Sequence, residues 1–152
     1  MKTTSATNGL IGSWRLVSCE HRRSDGAIEL PFGPKPAGTL VYMADGGMIV
    51  LITDTARPLS RSPQFFEAAD HELANAARGC AAYSGRWRIQ GNDVGHDVEQ
   101  SLFPNWAGTS LVRSLEMDRN RLALATAEFS IRSATYTATR VWERSDGHFS
   151  SL

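Results

Sequence analysis

The sequence has few cysteines, no excess of charge of either sign and no long apolar run. Its 152 residues include only two cysteines, Cys19 and Cys80, whose spacing indicates neither a zinc site nor a disulfide framework. Sixteen Lys and Arg residues balance sixteen Asp and Glu residues, which leaves no general positive field to attract nucleic acid or an anionic membrane surface. No stretch approaches the ~18 consecutive apolar residues of a membrane-spanning helix. We therefore expect a soluble protein that neither binds nucleic acid nor inserts into a membrane.

Motifs for nucleotides, catalytic metals and serine nucleophiles are also missing. The chain has no GxGxxG or Walker loop, no HExxH and no GxSxG. His21, His71 and His96 fall on different predicted elements, so we expect no metal site and no cofactor. The polar residues 1–8 lack the apolar core of a signal peptide. This pattern predicts a short disordered leader, one domain over 9–152 and a cytoplasmic location.

Short alternating segments separated by turn residues occupy most of the chain. Dipeptides such as Asp25-Gly26, Asp45-Gly46 and Gly91-Asn92 are typical of turns between antiparallel strands. The predicted strands span roughly 14–22, 38–44, 47–53, 80–90, 93–103, 108–117, 121–128 and 133–143, with a short additional strand near 27–31. Eight or nine consecutive strands predict an all-β fold, a single antiparallel up-and-down barrel. Closure removes exposed sheet edges and leaves room for a small ligand.

One segment interrupts the strand pattern and predicts a short helix over 71–78. Asp70 is placed to cap its N-terminus, and Gly79 is placed to end it. Leu73, Ala76 and Ala77 form its apolar stripe. We expect this insertion to lie across one end of the barrel as a plug or lid.

Two polar side chains fall on strand faces that otherwise read as apolar. Alternation places His96 with Val94 and Val98, and Arg113 with Leu111 and Leu115, on faces directed inward. A buried histidine is either hydrogen-bonded in the core or used on a ligand. An inward arginine keeps its charge and needs a carboxylate, several carbonyls or a ligand with an anionic or carbonyl oxygen. Both alternatives are open for each residue.

Further residues on inward faces, or at the Pro-Asn-Trp corner after the His96 strand, are candidates for ligand contact. The two tyrosines among them could equally be core residues with tethered hydroxyls. The predicted ligand-binding set is Tyr42, Tyr83, Trp87, Gln100, Trp106, Leu111 and Arg140.

Several stretches together resemble the bacterial and fungal lipocalin-like domain proteins. They are Gly12-Ser-Trp-Arg-Leu-Val-Ser18, Pro31-Phe-Gly33, Gly38-Thr-Leu-Val-Tyr42, Tyr83-Ser-Gly85, the string His96 to Thr109 with its Ser-Leu-Phe-Pro-Asn-Trp-x-Gly core, and Val141-Trp-Glu-Arg144. The resemblance spans nearly the whole chain and implies a calycin-type β-barrel around a ligand cavity. Asp97 stands where the family often has a second histidine, and Leu111 where a polar residue is common. The resemblance therefore implies a more apolar cavity here.

Two functions fit these residues. The first is a cofactor-independent cyclase, isomerase or dehydratase of natural-product biosynthesis, with His96 as general acid or base and Arg113 stabilising an oxyanion or carbonyl. The alternative is a carrier or sequestering protein that binds a hydrophobic metabolite without changing it. Both predict a hydrophobic small molecule as the partner. Sheet edges near the termini could in addition pair into a homodimer.

Overall fold

A computed structural model describes residues 9–145. The leader predicted for residues 1–8 lies outside the described residues, as do residues 146–152. Ten strands occur in the described part: β1 Gly12–Arg23, β2 Ile28–Glu29, β3 Pro36–Tyr42, β4 Gly47–Asp54, β5 Cys80–Gln90, β6 Asp93–Ser101, β7 Ser110–Asp118, β8 Arg121–Ala125, β9 Phe129–Ile131 and β10 Ala134–Arg144. The same range contains the α-helix α1 Asp70–Arg78 and two 3₁₀ turns, Phe65–Glu67 and Pro104–Trp106, and Gly9 and Leu10 are also helical.

The sheet closes on itself. Strands β1, β3, β4, β5, β6, β7, β8 and β10 follow one another as antiparallel neighbours, and β10 returns to pair with β1, which makes an eight-stranded barrel. The short strands β2 and β9 extend β1 and β10 at one end. The predicted all-β, up-and-down barrel is confirmed, and so is the single short helix inserted between β4 and β5.

Helix α1 begins one residue earlier than predicted. Asp70 is its first helical residue rather than its cap, and the N-cap position is held by Ala69, which makes no side-chain hydrogen bond. The C-terminal prediction is confirmed, because Gly79 ends the helix and its N–H donates to the Asn75 carbonyl at 3.3 Å. The Arg57 guanidinium also donates to the last turn, at the Ala76 carbonyl. None of the described helices is long and apolar enough to cross a membrane.

One end of the barrel is filled by side chains. Trp14 is fully buried there, and its indole N–H donates to the Leu10 carbonyl at 2.9 Å. The Arg144 guanidinium lies 4.2 Å from the centre of the Trp14 ring and donates to the Ile11 carbonyl at 3.0 Å. A cation over an indole face contributes about 0.5–2 kcal/mol. This packing closes the end of the barrel and leaves the opposite end for a cavity.

Two β-bulges reverse the alternation of side chains within single strands. In β1, Val17 is the extra residue, because Leu16 pairs with Trp142 while Ser18 pairs with the preceding residue of β10. Trp14 and Leu16 therefore point inward before the bulge, and Cys19 and His21 point inward after it. Strict alternation from Trp14 would place Ser18 and Glu20 on the inner face, and the bulge prevents this.

The second bulge lies between β5 and β6. Glu99 is the extra residue, because Gly85 pairs with Val98 and Ser84 pairs with Gln100. A Cβ added at Gly85 would lie 2.0 Å from the Asp97 carbonyl oxygen, so only glycine fits against the bulged strand. Beyond the bulge the faces exchange. Gln100 is exposed on the outer face, where the Ser84 hydroxyl donates to it, and its predicted inward position is wrong.

Candidate functional site

A cavity of about 780 Å³ occupies the end of the barrel opposite Trp14. This volume lies within the range of small-molecule sites, which is ~300–1,000 Å³. Its wall is mainly apolar, and six of its larger side chains are Phe32, Phe103, Trp106, Leu111, Phe129 and Ile131. The C-terminal turn of α1 contributes Ala77 and Arg78 to the rim. The predicted position of the helix, across one end of the barrel, agrees with this contact.

Two arginines, Arg113 on β7 and Arg140 on β10, enter this apolar cavity from its wall. No Asp or Glu among the described residues lines the cavity, and the ion pairs found in residues 9–145 lie elsewhere. Arg113 donates a hydrogen bond to the carbonyl of its neighbour Val112 at 3.2 Å, while Nε of Arg140 is buried without a partner. Burial lowers the pKa of Arg113, and the nearby charge of Arg140 lowers it further. Arg113 and Arg140 thus lie in the cavity wall without a carboxylate partner among the described residues.

His96 is held between two tyrosines. The Tyr42 hydroxyl lies 2.7 Å from Nε2 and the Tyr83 hydroxyl lies 2.7 Å from Nδ1, so both ring nitrogens are hydrogen-bonded. The histidine is 2 % exposed, and Tyr42 is fully buried. Of the three, Tyr83 alone reaches the cavity wall. His96 therefore lies one side chain behind the cavity.

The same burial governs the protonation of this triplet. It lowers the pKa of His96 to about 3, with the positive charges of Arg113 and Arg140 adding to the effect. Burial also raises the pKa of Tyr42 well above its ordinary value and raises that of Tyr83. At neutral pH the imidazole is therefore uncharged and both hydroxyls keep their protons.

A family model described as a lipocalin-like domain matches residues 11–145 of the chain. The chain belongs to the lipocalin-like domain family. It is also similar to a protein of Aspergillus oryzae (strain ATCC 42149 / RIB 40), the 4'-hydroxy-3'-methoxypropiophenone carrier protein ppsC. The two are 35% identical over 77 residues, which cover 45% of this chain and 69% of that protein.

One solved structure, that of EF1p2_mFAP2b bound to DFHBI, is similar to this lipocalin-like chain over most of its length. The alignment has 10% sequence identity and a TM-score of 0.47, and it covers 94% of this chain and 99% of that one.

In this lipocalin-like barrel the predicted site residues separate into three groups. Tyr83, Trp106, Leu111, Arg113 and Arg140 line the cavity. Behind its wall lie His96, Tyr42 and Trp87, the last of which donates from its indole to the Met43 carbonyl and packs 4.8 Å from the Tyr42 ring. Gln100 lies on the outer face of the barrel, away from the cavity. No group of three or more His, Cys, Asp or Glu residues within 9–145 is placed to hold a metal ion.

Sequence reasoning missed other residues of the cavity, most notably His21 and Phe129. The His21 ring meets Phe129 edge-to-face, with 5.3 Å between ring centres. Burial lowers the pKa of His21, and the Arg140 charge lowers it further. The bulge at Val17 turns His21 inward, so simple alternation from Trp14 assigns it to the wrong face. No local signal in β1 would have revealed that extra residue.

Proposed function

We propose that this protein binds a small aromatic metabolite through an acceptor oxygen and carries it without chemical change. The observation that supports the proposal is the pair Arg113 and Arg140, set without a counterion in an otherwise apolar cavity of about 780 Å³. A cation held away from water is costly unless it is paired. A ligand that supplies acceptor oxygens would satisfy both guanidinium groups, and its apolar body would displace water from the wall.

The wall favours an aromatic body for the ligand. Phe103 and Trp106 meet edge-to-face with 5.5 Å between ring centres, and Trp106 meets Tyr83 in the same way at 6.1 Å. Phe129, on β9, also lines the cavity. Aromatic rings add about 0.5–1.5 kcal/mol per pair beyond the area that they bury. The name of the Aspergillus relative, a carrier for a hydroxylated and methoxylated aryl ketone, supports the same ligand class.

Carriage is better supported than catalysis because of where His96 lies. General acid–base catalysis needs hydrogen-bond reach to the substrate, directly or through one water. Both nitrogens of His96 are occupied by tyrosine hydroxyls, and its pKa of about 3 is far from neutral pH. Of the two residues predicted to be catalytic, Arg113 lines the cavity, whereas His96, the predicted general acid or base, lies behind the cavity wall.

The proposal is tested by calorimetric titration with 4'-hydroxy-3'-methoxypropiophenone, followed by native mass spectrometry of the complex. We expect one molecule per chain, recovered with its mass unchanged. The variant Ala138→Phe places a ring in the cavity and should abolish binding, while Thr137→Phe on the outer face of the same strand should leave it intact. Absence of binding by the unaltered protein, or release of the compound with a new mass, would contradict carriage of this ligand class.

A further inference from the structure

The hydrogen-bonded row Tyr42–His96–Tyr83 has three protons, two on hydroxyls and one on the imidazole, but only two hydrogen bonds within it. A neutral imidazole has one N–H donor and one bare nitrogen, so one tyrosine must donate to the ring and the other must accept from it. Two arrangements satisfy both 2.7 Å contacts. They differ in which tyrosine is left with an O–H proton that needs another acceptor.

Burial decides between the two arrangements. The Tyr42 hydroxyl is hydrogen-bonded to His96 alone among the described residues, and Tyr42 is fully buried. If Tyr42 accepted from Nε2–H, its own proton would be buried without a partner, at a cost of about 1–3 kcal/mol. Tyr42 therefore donates to Nε2, and His96 carries its proton on Nδ1 and donates it to Tyr83.

At the other end, Tyr83 faces the cavity. Its oxygen accepts from Nδ1–H of His96, and its own O–H has no acceptor among the described residues. The Tyr83 O–H is therefore free to donate to an acceptor elsewhere. Since Tyr83 lines the cavity, that acceptor belongs to whatever fills the cavity.

We propose that the Tyr42–His96–Tyr83 row is oriented in one direction, so that Tyr83, Arg113 and Arg140 form a donor corner that selects a ligand with an anionic oxygen on an aromatic ring. The inference rests on the proposed function and refines its ligand class to phenolates and aryl carboxylates. A neutral hydroxyl would set its own proton against three donors, whereas an anionic oxygen accepts from all of them.

The charged and titratable groups around this corner reinforce the preference. Those that line the cavity are His21, Arg78, Cys80, Tyr83, Arg113 and Arg140, and Cys19 lies beside Arg140. No carboxylate in the described part of the chain opposes the three arginines from the cavity wall. The arginine charges of the wall therefore favour a bound anion, and the Glu29 carboxylate acts on His21 from outside the lining.

The test compares 4-nitrophenol with 4-nitroanisole, and 4-nitrobenzoate with its methyl ester, by calorimetric titration. Each pair has nearly the same shape and differs in the anionic oxygen. We expect the phenolate and the carboxylate each to bind about tenfold more tightly than the neutral partner. By linkage, the pKa of bound 4-nitrophenol should fall by about one unit, which its phenolate absorbance measures directly.

Two variants assign the effect to Tyr83. Tyr83→Phe keeps the ring that packs on Trp106 and removes the hydroxyl, so it should weaken phenolate binding by about tenfold and leave nitroanisole binding unchanged. Tyr136→Phe is the matched control, because its hydroxyl bonds Glu29 and it does not line the cavity. A ¹⁵N spectrum of the His96 ring reports the orientation of the row, and protonation at Nδ1 is expected.

The outcomes separate the two levels of inference. If none of the four probes binds, the proposed function fails together with this refinement. If ether and ester bind as tightly as phenolate and carboxylate, the cavity is a binding site but the donor corner is wrong. Protonation of His96 at Nε2, or a Tyr83→Phe variant with unchanged phenolate preference, would likewise overturn the assigned direction.

Discussion

Replacement of Arg113 by methionine should stabilise the ligand-free protein and weaken ligand binding. Methionine keeps an unbranched side chain of similar reach and removes a charge that has no carboxylate partner in the cavity wall. The penalty for an unpaired buried cation is several kcal/mol when water is fully excluded. Because the cavity partly hydrates Arg113, we expect a gain of about 1–2 kcal/mol.

That gain is measurable as a shift in the thermal midpoint of the ligand-free protein. For a chain of this size, 1 kcal/mol corresponds to ~2–4 °C, so Tm should rise by about 2–8 °C. A hydrogen bond to a charged group contributes about 1.5–3 kcal/mol, so the affinity for 4-nitrophenolate should fall about ten- to hundredfold. Affinity for 4-nitroanisole should change far less, since it offers no anionic oxygen.

The matched control is Arg88→Met. Arg88 lies on the outer face of β5, is partly exposed and pairs with Asp97 at 3.2 Å. Its replacement should therefore leave Tm equal or lower it, because a surface ion pair is lost. Phenolate binding should be unchanged. The reasoning would be refuted if Arg113→Met lowered Tm and left phenolate affinity intact. That result would mean that Arg113 stabilises the barrel rather than a ligand.

Two further predictions concern the barrel itself. The pKa of His96 is about 3 in the folded chain, against 6.5 ordinarily, so the unfolded chain takes up the proton first as pH falls and stability is lost below about pH 6.5. His96→Gln should therefore reduce the slope of the unfolding free energy between about pH 6 and pH 5 by up to ~1.4 kcal/mol per pH unit. A slope equal to that of the unaltered protein would contradict the buried neutral imidazole. Gly85→Ala should cost roughly 3 kcal/mol in urea unfolding, since its Cβ would meet the Asp97 carbonyl oxygen at 2.0 Å, while Gly91→Ala, with open space but a φ of +62°, should cost about 1 kcal/mol. A Gly85→Ala variant as stable as Gly91→Ala would show that the bulge tolerates a side chain.

The barrel and its helix could be predicted because their signals are local. Period-2 alternation in 80–90 and 108–117, and turn pairs such as Gly91-Asn92, depend on neighbours in the sequence alone. The inward positions of His96 and Arg113 followed from the same alternation, because β6 and β7 pair in unbroken register over the stretch that contains both residues. The depth of each side chain did not follow, because it depends on which residues of distant strands cover it.

Two errors in the predicted site, at His21 and Gln100, arise at the two bulges. His21 enters the cavity and Gln100 leaves it because Val17 and Glu99 each add one residue to a strand. A bulge is specified by pairing between strands, and β1 pairs with β10 at the far end of the chain. Gly85 was visible as a glycine in a strand, but the carbonyl of Asp97 that requires it comes from the partner strand.

The unpaired arginines that we expect to lower the stability of the ligand-free barrel are the same groups through which a ligand would stabilise it. A ligand present at a hundred times its dissociation constant adds about 2.7 kcal/mol to the folded state, which is comparable with the cost that we assign to one unpaired arginine. Groups that bind the ionised ground state this firmly provide affinity rather than rate, because only interactions that strengthen in a transition state accelerate a reaction. In the proposed complex, Arg113, Arg140 and Tyr83 would all contact an oxygen that is already anionic, and His96, which contacts the Tyr83 hydroxyl at 2.7 Å, would orient Tyr83. A cavity so arranged favours retention of its ligand, and retention is the requirement of a carrier.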